Sequence, residues 1–372
     1  MASVLIWRSS WWLPNPVSAT AARGPALRGR GRRLPVLDRV TPLVPPAFLC
    51  WLPDRFTARR LARQALPHAD HLKTRSARRT PGGLLVVRLD GDAHASVAVK
   101  HALSPRAAQM LGDERRVLRR LAADERVDGV RRLLPSEIAC QLDGPLPLVA
   151  QTWLPGVNAS TALRRSPQAA AAVTGVSLAA IGELHRATGS PERAAAHVGR
   201  WVDARVAMLG QEIGWCRRDP GAARLEALRR RLHAGLADRT MTVGWTHGDF
   251  SAGNVLLAED CTAVTGVIDW STACCDGPVA IDAYTLVLTL QYEVDGRTLG
   301  RVIADIVRSG RLPAVQRRLL GDAGGAEPDA VTLALLTWLW HVANNVSKSP
   351  RYGRSLRWVA GNVVPVLEAV YR

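Results

Sequence analysis

Two β-type runs rich in apolar residues, 84–89 and 96–103, flank Asp90-Gly91-Asp92 and predict a β-hairpin. Ahead of them Thr80-Pro81-Gly82-Gly83 reads as a tight loop, linking back to a strand around residues 71–78. The period then changes. After Ser104-Pro105, a helix start with a serine cap and proline just inside it, apolar residues fall at Ala107, Met110, Leu111, Val117, Leu118 and Leu121, the stripe of an amphipathic helix. Glu114 lies on that stripe, three residues after Leu111 and four before Leu118. It therefore faces inward, where a lone carboxylate is costly and calls for a cation. Residues 146–153 form another apolar run, and Pro155-Gly156 marks a break between lobes. Residues 160–236 are rich in Ala and Leu and predict helices, 243–269 mix strand and loop, and the remainder is helical again, without an internal repeat. The long apolar stretches 169–182 and 331–343 fall short of the roughly 18 residues of a membrane span and read as buried helices.

Composition narrows the class. A chain of 372 residues with 47% hydrophobic and 22% charged residues is a soluble globular protein of more than one compact unit, neither disordered nor fibrous. The net charge of +17 would suggest nucleic acid or an anionic surface if it covered one face, but residues 1–80 hold 15 Arg and Lys against 3 Asp and no Glu. The basicity belongs to a Pro- and Arg-rich arm over residues 1–68, read as largely irregular with one short helix near 55–65, and no obligatory nucleic-acid partner follows from it. Lysine occurs only at Lys73, Lys100 and Lys348. The six cysteines show neither C-x-x-C spacing nor a metal-ligand cluster, and the first residues lack a charged segment ahead of a continuous apolar one. A reducing, cytoplasmic setting is expected, with no transmembrane segment.

Chemistry concentrates in Thr246-His247-Gly248-Asp249-Phe250-Ser251-Ala252-Gly253-Asn254 and in Ile268-Asp269-Trp270. Asp249, Asn254 and Asp269 stand five and fifteen residues apart, each at the edge of a short β-type run. That is the donor set of phosphoryl transfer: a carboxylate to orient the attacking hydroxyl, and hard oxygens to hold a magnesium ion between phosphates. On strand alternation Ala98, Lys100 and Ala102 share one face, so Lys100 projects from small residues that leave room for a flat ligand. An inward Lys100 and an inward Glu114 satisfy each other.

These motifs resemble the aminoglycoside phosphotransferase and choline kinase-like family over roughly residues 70–345. The resemblance implies an α+β, two-lobed protein-kinase-like fold, with a small antiparallel β N-lobe at 69–154 and a larger, mainly helical C-lobe at 155–372. It implies ATP or another nucleoside triphosphate and Mg2+ as cofactors, with a hydroxyl of a small molecule as acceptor. By the same resemblance Asp249 is the catalytic base, and Asn254 and Asp269 bind the metal. Lys100, on the strand Val97-Ala98-Val99-Lys100, meets the nucleotide phosphates with Glu114 as partner, Ala98 lies at the nucleotide, and Asp282, after Gly277-Pro278, braces the catalytic loop. His247 is expected to position the loop by hydrogen bonding and not to act as a base. The chain departs from the family's pattern at Ser251-Ala252 and at Ser271, and it lacks the G-x-G-x-x-G of protein kinases.

Two further readings come from other classes: a non-catalytic kinase-like scaffold, marked by loss of Asp249, Asn254, Asp269 or Lys100, and binding to an anionic surface through the basic arm. Trp338, Trp340, His341, Asn344 and Asn345, at helical spacing, are read as helix packing, and Cys274 and Cys275 likewise. Residues 291–372 carry eleven cations against seven anions. That sign disfavours a polycationic acceptor and points to a neutral or anionic one.

Overall fold

The computed structural model describes residues 60–61, 66, 72–91, 96–144, 147–321 and 328–371. Every described residue belongs to one unit, Leu52–Arg372. Of the basic arm only Arg60, Leu61 and Leu66 are among them, the first two helical; the rest of the arm and of its expected helix, and the hairpin tip at 92–95, lie outside the described residues.

Five antiparallel strands open the described chain: β1 (Lys73–Arg79), β2 (Leu84–Asp90), β3 (Ser96–Ala102), β4 (Glu137–Gln141) and β5 (Leu148–Thr152), in the order β1-β2-β3-β5-β4. Strand alternation sorts β3 as its sequence requires. Val97 and Val99 join Leu61, Leu85, Val87, Leu89, Leu148 and Ala150 on one face, while Ala102 packs on the other with Ala107 and Leu111 of helix α1 (Pro105–Ala123). Each such aliphatic side chain contributes about 1.5–3 kcal/mol when fully buried. The helix starts where its cap predicts, with the Ser104 hydroxyl accepting from Ala107 N at 3.2 Å and Pro105 as first helical residue.

The larger lobe holds β6 (Val157–Asn158), α2 (Ala159–Arg165), α3 (Ala170–Thr188), β7 (Ser190–Arg193), α4 (Ala204–Glu212), α5 (Gly221–Leu236), β8 (Thr240–Thr246), β9 (Val255–Leu257), β10 (Val264–Val267) and β11 (Cys274–Pro278). It continues through α6 (Ala280–Asp295), α7 (Leu299–Ser309), α8 (Ala314–Leu320) and α9 (Ala330–Lys348) to three short helices, Pro350–Arg354, Leu356–Asn362 and Val364–Tyr371. This is the expected two-lobed α+β fold. Helix α9 is buried at every residue from Val331 to Ala343, as its nearly apolar sequence requires. Among the described residues no helix is long and apolar enough to cross a membrane.

The larger lobe also holds two small sheets, and strands β7 and β11 of one of them correct the expectation that residues 160–236 and the chain after 269 are purely helical. The sheets run β10-β9-β6 and β11-β8-β7. Strand β7, Ser-Pro-Glu-Arg, is exposed at all four residues and pairs along β8, so it has no apolar alternation to betray it. Strand β11 reads Cys-Cys-Asp-Gly-Pro, a turn-like composition that nonetheless pairs with β8. Together the small sheets fix two loops side by side, 247–254 between β8 and β9 and 268–273 between β10 and β11.

Candidate active site

The loop after β8 is built on one carboxylate. Asp282, fully buried in the first turn of α6, accepts from His247 N at 2.7 Å on one oxygen and from Gly248 N at 2.8 Å on the other, with His185 Nε2 3.0 Å away. Gly248 has φ of +77°, and a Cβ there would lie 2.7 Å from the Thr272 carbonyl oxygen, so the position needs glycine twice over. His247 is fully buried between Phe250 and Trp270. Its Nε2 meets Ile268 O at 3.0 Å and its Nδ1 accepts from Asp249 N at 3.3 Å. Burial pushes its pKa down. With both nitrogens engaged in the neutral form, His247 is a loop brace.

The loop then folds back on itself. The Asp249 carbonyl accepts from Ser251 N at 2.9 Å and from Asn254 Nδ2 at 2.8 Å, while Asn254 O accepts from Ile268 N at 2.9 Å and ties this loop to the next. Because Asn254 Nδ2 is taken, its Oδ1 is the atom left for a cation. Asp269 follows in a left-handed conformation, φ 63° and ψ 58°, rare for a side chain with a Cβ and a common mark of a functional position. Its side chain keeps 49% exposure while Asp282 and Glu114 are shut away.

The N-lobe supplies the third part. Lys100 Nζ lies 2.6 and 2.8 Å from the two oxygens of Glu114 and 3.4 Å from Asp269 Oδ1. Both members of the Lys100–Glu114 pair are buried. Burial alone would lower the Lys100 pKa; the Glu114 and Asp269 carboxylates outweigh it and hold the ammonium charged. Partial burial works against the charged form of Asp269, but Lys100 and Lys348 draw its pKa below the ordinary carboxylate value. Ala98 is buried on the Lys100 side of β3.

One residue at the site was not anticipated. Lys348, the last residue of α9, places Nζ 2.5 Å from Asp249 Oδ2, and one turn earlier Asn344 Nδ2 donates to Gly248 O at 2.7 Å. Asn344 thus braces the loop, whereas Trp338, with Nε1 on Asn362 O at 2.7 Å, and Trp340, beneath the Arg205 guanidinium, are core residues as expected. The available signal was the scarcity of lysine in an arginine-dominated chain.

A sequence profile of APH, described as a phosphotransferase enzyme family, matches residues 77–319. The chain belongs to that family. As a phosphotransferase it is an enzyme that phosphorylates small molecules. Among solved structures it is similar to aminoglycoside-3'-phosphotransferase of type VIII, at 19% identity over 76% of this chain and 98% of that one, with a TM-score of 0.49. It is also similar to the streptomycin–ATP–APH(2")-IIa ternary complex, at 13% identity over 85% and 96%, with a TM-score of 0.48. A third is macrolide 2'-phosphotransferase MphH from Brachybacterium faecium, at 20% identity over 84% and 96%, with a TM-score of 0.45. Among curated proteins none matches the chain. Lys348 and Asn344 lie beyond the stretch that the family profile matches.

Proposed function

We propose that this phosphotransferase moves the terminal phosphoryl group of ATP, or of another nucleoside triphosphate, to a hydroxyl of a small neutral or anionic molecule. The observation that carries the reading is the convergence of Lys100, Glu114 and Asp269 beside the loop holding Asp249 and Asn254. Lys100, kept charged by its carboxylates, pairs with the nucleotide phosphates, and Ala98 leaves space on the same face for the base. Asp249 accepts the proton of the acceptor hydroxyl as its oxygen attacks, with positioning and charge neutralisation supplying most of the acceleration.

The donor set fits magnesium brought in with the nucleotide. Asn254 Oδ1 and the accessible Asp269 carboxylate are hard oxygen ligands, and among the described residues no three His, Cys, Asp or Glu side chains could hold a metal unaided. When bound, Mg2+ neutralises phosphate charge. The acceptor's charge follows from the sign of its surroundings: the C-terminal segment is net cationic, and an ammonium stands on Asp249 itself.

A panel of hydroxyl compounds scored by ADP release, with Asp249→Ala as blank, tests the reading. Saturable, magnesium-dependent turnover lost in Asp249→Ala is expected. Wild-type turnover in that variant would overturn the assignment of the base.

A further inference from the structure

We propose that Lys348 is a catalytic cation of this enzyme, one that holds the Asp249 carboxylate in place and donates to the phosphoryl group during transfer. The inference rests on the reading of Asp249 as the base. A lysine ammonium has three N–H donors. Among the described residues Asp249 is the only hydrogen-bond partner of Lys348, so two donors are free. The charge is secure: burial would discharge the ammonium, but Asp249 first, then Asp269 and Glu114, hold its pKa above the ordinary lysine value. Lys348 therefore feels the carboxylates on both the acceptor and the metal side of the site.

Distance then decides what the free donors face. A hydroxyl within about 3 Å of an Asp249 oxygen, poised roughly 3–3.5 Å from phosphorus, leaves the phosphoryl oxygens in the same small volume as the ammonium already bonded to Asp249. In the step, the acceptor oxygen bonds to the γ-phosphorus as the bond from that phosphorus to the bridging oxygen breaks. The acceptor proton passes to Asp249, and the electron pair leaves with the nucleoside diphosphate. A compact three-donor charge can hold a carboxylate and a phosphoryl oxygen together, which suits Lys better than the planar fork of Arg. The chain has only three lysines, and two of them stand in this cluster. The helix end that carries Lys348 is also fixed from the opposite lobe, since Arg106 donates to Ser347 O at 2.5 Å and to Val346 O at 2.8 Å.

The test compares magnesium-dependent binding of a non-hydrolysable ATP analogue and of ADP, by calorimetry, in wild type, Lys348→Met and Lys348→Arg. A cation serving the transferred group separates triphosphate from diphosphate. In Lys348→Met, analogue affinity should fall about tenfold or more while ADP affinity stays within about twofold, and turnover should fall roughly 10²–10³-fold. Lys348→Arg should recover much of the affinity and less of the turnover. Should Lys348→Met not fold, Lys348→Gln, which keeps a donor for Asp249 without the charge, provides the same comparison. An unchanged ratio of analogue to ADP affinity in a folded, uncharged variant overturns the role of Lys348 alone. Failure of wild type to bind either nucleotide overturns the nucleotide reading beneath it.

Discussion

Glu114 shows how one buried charge constrains a site. Its carboxylate and the Lys100 side chain are both almost wholly enclosed and 2.6 Å apart, so each compensates the burial of the other. Removing one partner strands a charge at a cost of about 3–5 kcal/mol, and removing both strands none. Denaturant unfolding of Lys100→Ala, Glu114→Ala and the double variant should give a double-mutant loss clearly smaller than the sum of the singles; simple additivity would show that the two do not act as a unit. A second prediction concerns His341, which is buried on α9 with Nε2 toward Asn345 Nδ2 at 3.1 Å. Burial depresses its pKa, with Asp249 pulling it up and Lys348 pushing it down. The unfolded imidazole titrates near 6.5, so on acidification the unfolded chain takes up a proton that the folded one refuses. The contribution is full above that pH and is lost as the pH falls toward the depressed folded value. The melting temperature should therefore fall as the pH drops below about 7, and less steeply in His341→Gln. An identical pH slope in that variant would exclude His341 as a source.

At the scale of elements, the loop after β8 depends on backbone geometry that no substitution can imitate. Gly248→Ala should cost about 1–2 kcal/mol for the left-handed backbone alone, more for the contact with Thr272, and should reduce turnover because Asp249 is the next residue. Differential scanning calorimetry with the turnover assay checks both. Legibility in the sequence followed the same physics. Strand β2, helix α1 and the inward Glu114 were readable because each element buries one face and so prints a period, whereas β3, buried on both faces, was readable from its small and β-branched residues. Asp249, Asn254 and Asp269 could be singled out as candidates because their spacing is local to two short loops, and Asp282 only through the family resemblance. Strand β7 buries nothing, β4 is largely exposed or half-buried, and β11 is composed of turn residues, so none carried a period. Lys348 was hidden for a different reason. Its partner is ninety-nine residues away, and only the packing of α9 against the loop brings them together.

For the whole molecule, charge is the feature that bears on the acceptor. The bulk of the +17 belongs to the first 80 residues, yet the segment 291–372 is net positive on its own, and Lys348 brings that sign to Asp249. Neutral or anionic sugars and polyols should be phosphorylated with higher kcat/KM than kanamycin-type polycations; efficient turnover of the polycations alone would show that a few carboxylates in the cleft outweigh the segment. Family membership covers residues 77–319, whereas α9 falls after that stretch and still touches the loop at Asn344 and Lys348. That placement matters to anyone recombining such enzymes. A chimera that swaps the last fifty residues to change acceptor preference would also exchange the groups that seat the loop and neutralise its aspartate. On the roles proposed for Lys348 and the C-terminal segment, selectivity and rate are not separable modules, and a successful graft must carry Asn344 and Lys348 across with the helix.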